Sequence, residues 1–101
     1  MIGYSASTSQ RMHKERLLGL ARVLEASLQQ QPPEHEQMVN AAAMIRNMVR
    51  EEGAVLSTQE KTRLVRTIAL AKARVYAEGT AEAYRMYKKL DAISDEVIRL
   101  L

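Results

Sequence analysis

The chain contains no cysteine, no phenylalanine and no tryptophan, and its 101 residues include only four glycines and two prolines. Each scarcity excludes something. Without Cys there is no disulfide, no thiolate nucleophile and no thiolate metal site, and the composition fits a reducing compartment such as the cytoplasm. Without Phe and Trp the core must come from Leu, Ile, Val, Met and Ala, a set weighted toward helix rather than sheet. So few Gly and Pro leave too little punctuation for many short strands. No run approaches the roughly 18 apolar residues needed to span a bilayer, and the opening MIGYSASTSQRMHKER lacks the apolar centre of a signal peptide. A cytoplasmic protein working away from membranes is expected.

What is present is a chain 47% hydrophobic and long enough for one domain spanning residues 1–101. The periodicity predicts four helices, at about 8–31, 33–52, 58–78 and 81–101, after a flexible N-terminal arm of about residues 1–8. In the first, Leu17, Leu20, Ala21, Leu24 and Leu28 form one stripe that ends at Pro32. Pro33 suits the first position of the second helix, where its missing N–H costs nothing, and Glu34 and Glu36 complement the helix dipole. Met38, Ala41, Ala42, Ile45, Met48 and Val49 make that helix's stripe, with Met44 off it, and Gly53 is expected to close it.

Ser57-Thr58-Gln59-Glu60 matches the capping box, in which hydroxyl and carboxylate reciprocally satisfy orphan N–H groups. Leu64, Ile68, Ala71 and Val75 follow as the third stripe. After Gly79 the fourth helix is the most regular: Ala83, Met86, Leu90, Ile93, Val97 and Leu100 step as a coiled-coil seam. Gly79 marks either a tight hairpin or a bend in one long helix. Four helices with short corners predict an all-α up-down bundle. Its apolar arcs are wider than one seam, with Leu18, Val23, Met44, Tyr87 and Ile98 as flanking surplus, so pairing as a homodimer is expected.

No enzyme is expected. Phosphate-binding glycine loops, H-E-x-x-H and G-x-S-x-G are all missing, and no cofactor, metal or small-molecule substrate is implied. His13, one turn before Leu17, lacks any phosphotransfer signature around it and suits a partly exposed helix start. In Glu34-His35-Glu36, adjacent helical side chains diverge by about 100° each and cannot close on one ion. Asp91 and Asp95 share a face of the fourth helix without the remaining ligands of a di-metal bundle. They suit a solvated face, with Lys88 one turn before Asp91 to offset its charge.

The charge is uneven. The net +3 of the whole chain conceals a strongly basic stretch from about 57 to 90, framed by a neutral first half and an acidic end. On a helical wheel Arg63, Arg66, Leu70 and Arg74 form a line roughly opposite the third apolar stripe, with no acid of that helix on it. With Tyr87 and Ile98 these are the candidate partner-binding residues. A protein partner, possibly acidic, contacting helix faces is the first expectation. The alternative is a nucleic-acid-binding regulator using the basic face of the third helix, where arginine suits phosphate. The scarcity of aromatics argues against single-strand stacking.

Overall fold

Ser57 caps its helix as the spacing predicts. Its hydroxyl accepts the Glu60 N–H at 3.1 Å while the Glu60 carboxylate accepts the Ser57 N–H at 2.8 Å. The computed structural model describes residues 2–52 and 56–101, with side chains placed for 11–51 and 56–101. The described residues form four helices: α1 (Ile2–Ser27), α2 (His35–Glu52), α3 (Thr58–Tyr76) and α4 (Ala81–Leu100). Among the described residues there is no strand and no helix long and apolar enough to cross a membrane. The expected closure at Gly53 lies outside the described residues.

The ends of the first two helices differ from expectation. α1 begins at Ile2, not near residue 8. Several Ser and Thr residues offered equivalent caps there, and none of them stops a helix. It also ends at Ser27, short of residue 31. The Leu28, Gln29 and Gln30 N–H groups tighten onto carbonyls three residues back, at 3.1–3.3 Å. Gln31, preceding a proline, is pushed away from helical geometry, and the Gln31–Pro32 peptide is cis. Pro33 lies ahead of α2 and is not its first residue. The Glu34 carbonyl accepts the first helical bond, from the Met38 N–H at 3.0 Å.

Gly79 makes a hairpin. Its φ of 73° lies in the left-handed region, where a side chain is strained but glycine is free. Thr80 then caps α4, its hydroxyl accepting the Ala83 N–H at 3.0 Å. α3 and α4 therefore fold back on each other.

The helices alternate in direction, but sequence neighbours do not all touch closely. α1 packs on α2 and α3, and α4 packs on α2 and α3. The diagonal α2–α3 contact is slight, and among the described residues α1 does not meet α4. One hairpin is thus laid on the other, with α1 alongside α3. Lys14 pairs with Glu60 at 3.0 Å, Glu25 with Arg63, and the Gln30 carbonyl with Arg74, so α1 and α3 run parallel. The core between the hairpins holds Leu17, Leu24, Met38, Ile45, Leu64, Ile68, Leu90 and Val97, all fully buried. Each large side chain buried there contributes about 1.5–3 kcal/mol. The many alanines among them (Ala21, Ala41, Ala42, Ala71, Ala83) replace the missing aromatic bulk with close helix approach.

Leu100, placed on the seam of α4 by its spacing, is instead exposed, and Leu101 packs against the core. A strict 3.5-residue repeat drifts by about 20° per heptad around a straight helix, and over the length of α4 this rotates the last seam position outward.

These features order the expected stabilities. Ile68→Ala should cost about 2–5 kcal/mol, and Ser57→Ala about 1 kcal/mol. Gly79→Ala meets no neighbouring atom within 4 Å yet should cost about 1–2 kcal/mol through left-handed strain alone. Urea denaturation of the three variants measures all of these.

Candidate functional site

Half of the arginine line is engaged within the fold. Arg63 turns toward α1, where its Nε and one terminal nitrogen donate to the two carboxylate oxygens of Glu25 at 3.1 and 2.7 Å. The Thr67 hydroxyl, on a buried residue, lies 2.8 Å from the Arg63 carbonyl and 3.2 Å from the same carboxylate. Arg74 reaches the Gln30 carbonyl at 3.2 Å. The acid that α3 itself lacks along this line comes from α1. Arg63, Thr67 and Arg74 form the flank that joins the hairpins. Arg66 and Leu70 remain exposed, and with Arg63 they edge a shallow hollow beside Glu25.

Tyr87 and Ile98 belong to a different surface, the outer groove between α3 and α4. Lys72 donates to Asp91 at 2.9 Å, and the Tyr76 and Tyr87 rings meet with centroids 5.0 Å apart. Four residues forward on α3 is four back on α4, so the antiparallel register is fixed. It sets Ala69 level with Ser94, and Val65 level with Ile98. Tyr87 and Ile98 thus lie toward the two ends of the outer α3–α4 seam, and a hollow touching both helices lies at the Tyr87 end. Ile98 is 52% exposed, whereas Tyr87 is half-buried against the core.

At the hairpin end the groove carries three of the chain's four tyrosines. Tyr84 lies nearly parallel to Tyr87, with ring centroids 6.1 Å apart. The Lys88 ammonium sits 5.5 Å from the Tyr84 centroid, in cation–π range. Tyr76 is 60% exposed and Tyr84 50%. One hollow lies against Ala69, Ala73, Tyr76 and Tyr87, and a second against Tyr76, Gly79 and Tyr84. Sequence reasoning missed this cluster. Its only signal was that Tyr76 and Tyr84 flank the Gly79 turn, and it needed the hairpin to be known.

Ion pairs and a hydrogen-bond contact engage most of the acids around α3 and α4. Glu60 pairs with Lys14, Asp91 with Lys72 and Glu96 with Arg50, and the Glu78 carboxylate lies 2.6 Å from the His35 ring nitrogen. Asp91 therefore takes its cation from α3, while Lys88, expected to offset it, covers a ring. His35 ties the start of α2 to the end of α3 rather than to its neighbours Glu34 and Glu36. Arg66, Arg85, Lys88, Lys89 and Arg99 make no ion pair with any described residue, and of the acids on these helices only Glu82 and Asp95 are left over. Among the described residues no group of three His, Asp or Glu side chains is placed to hold a metal ion. Comparison of the chain with protein-family models, with curated proteins and with solved structures gives no match.

The Arg63 hydrogen bonds lower the carboxyl pKa of Glu25, and burial only partly opposes them. Glu60 is lowered as well, first by the Ser57 backbone N–H and then by Lys14. A depressed carboxyl contributes stability that is present above the ordinary carboxylate range and is lost as pH falls through the folded-state value. Glu25→Gln should accordingly melt below wild type near neutrality, and the gap should narrow toward about pH 3. Thermal melts across that range measure it.

Proposed function

We propose that the protein is a small non-catalytic helical interaction module that binds another protein through the outer face of its α3–α4 hairpin. The observation that carries this reading is the unpartnered groove with exposed tyrosines at one end and Ile98 at the other. Tyr is enriched at the energetic centres of protein interfaces, because it offers a large rigid surface with one polar end. Lone exposed apolar residues are ordinary. Aromatic rings gathered at one turn, with small Ala69 and Ala73 leaving room beside them, are less so. The cysteine-free sequence suits work in the cytoplasm.

The basic third-helix face favoured at first for partner contact carries less of the proposal. Arg63 and Arg74 serve the α1–α3 junction, so reversing them would damage the fold before it reported on a partner. The same fact weakens the nucleic-acid alternative, which relied on those arginines as a phosphate grip.

A photo-crosslinking residue in place of Tyr84, in cells expressing the protein, should give a discrete protein adduct that the same residue in place of Gln37 does not. A nuclease-sensitive adduct, or none, would overturn the reading. Homodimer pairing is part of the proposal on separate ground: Val23 and Met44 lie exposed on the other hairpin, where a second copy would cover them. Sedimentation equilibrium should then give a dimer that Met44→Glu converts to monomer.

A further inference from the structure

The groove has a shape and a charge that specify what fills it. From the Tyr76–Tyr87 pair to the level of Val65 and Ile98 it runs eleven residues of α3, about 16 Å at 1.5 Å per residue. That is three helical turns. Apolar groups stand at both ends, Tyr76 and Tyr84 at one and Ile98 at the other, with small Ala69 and Ala73 between. A helix laid along it would present anchors at i, i+3 or i+4, i+7 and i+11.

The outer faces of the two helices are cationic. Arg66 on α3 and Arg85, Lys88 and Arg99 on α4 are exposed and pair with no described acid, because Lys72, Lys14 and Arg50 hold Asp91, Glu60 and Glu96, and Lys88 stands over the Tyr84 ring. The opposing free charge is Glu82 and Asp95. We infer that the α3–α4 groove docks an acidic amphipathic helix of a protein partner, its apolar stripe seated between the tyrosines and Ile98 and its carboxylates meeting Arg66, Arg85 and Lys88. This rests on the interaction-surface reading above and adds the partner's chemistry to it.

Helix rather than nucleic acid is favoured by the groove floor. A phosphate backbone following the groove from the tyrosines would pass the Asp91 carboxylate and then the apolar Val65–Ile98 end, where nothing receives it. The apolar stripe of a helix fits that end, and its flanking acids reach the cations of the outer faces. Lys88 is already held over Tyr84, so a carboxylate meeting it would sit beside the ring that anchors the helix.

The test uses fluorescein-labelled synthetic helices and the full chain, read by anisotropy at low and near-physiological salt. Three probes share one length. One carries a Leu stripe flanked by Glu, the second the same stripe flanked by Lys, and the third Glu flanks with Ala in place of Leu. A single-stranded oligothymidylate is the fourth probe. The Glu-flanked Leu helix should bind, at about 10–100 µM, and weaken with salt. Tyr84→Ala should weaken it about tenfold or more, and Arg85→Glu with Lys88→Glu should reverse the preference toward the Lys-flanked helix. Circular dichroism checks that these exposed-site variants keep their helices.

Equal binding of the Lys-flanked helix would overturn the acidic partner while leaving the groove as a protein-docking surface. Binding of the oligothymidylate, lost in Tyr84→Ala, with no helix bound, would overturn both this inference and the proposed function. A dimer dispersed by Tyr84→Ala would show a second copy as the occupant and overturn the inference alone. Absence of binding by every probe would overturn it too.

Discussion

The left-handed backbone at Gly79 sets the surface of half the molecule. It turns α4 back on α3 within a few residues, and the direction of that return fixes which residues of the two helices stand level. Lys72 faces Asp91 and Tyr76 faces Tyr87 only in that register. Shift it by one residue and the helical rotation of about 100° carries the rings to different faces. No disulfide holds the hairpin, and the one ion pair along it among the described residues, Lys72 with Asp91, is partly exposed and so weak by itself. Its register rests on the turn conformation, on the Thr80 cap, and on the burial of Ile68, Val75, Ala83 and Leu90 behind it.

Charge in this protein is organised by pairing between helices more than by its spread along the chain. The basic middle stretch looks uniform in sequence, yet its members have separate uses. Arg63 and Arg74 hold α1, Lys72 bridges to α4, and Lys88 covers a ring. The exposed remainder lies chiefly on the first half of α4. Thr67 explains much of the α1 side. Its hydroxyl is buried with the Glu25 carboxylate within reach, so a polar position inside the helix stripe marks the junction between hairpins.

The four helices were legible because each local signal agreed with the others: stripe, cap and breaker. The capping box at Ser57 and the start of α4 at residue 81 were correct to the residue, whereas hairpin and bend stayed open at Gly79 and α3 ends at Tyr76, short of the expected residue 78. The start of α1 was not legible, since a run of Ser and Thr residues offers a cap at nearly every step and compels none. The stacking of hairpin on hairpin was hidden because it depends on contacts between α1 and α3, such as Glu25 with Arg63, far apart in the chain. For the same reason a helical wheel of α3 alone showed an arginine line without an acid. Ile98 was rightly singled out as outward-facing surplus, while Tyr87, chosen with it, sits half-buried because its ring fills the corner between the tyrosines and the core.

The tyrosine cluster has an optical consequence. With no tryptophan in the chain, intrinsic ultraviolet emission comes from tyrosine alone, and three of the four emitters lie at a single turn with an ammonium group over one of them. Emission from this protein is therefore weighted to one small region of its surface. The molecule carries its own label there, placed by the fold and needing no dye.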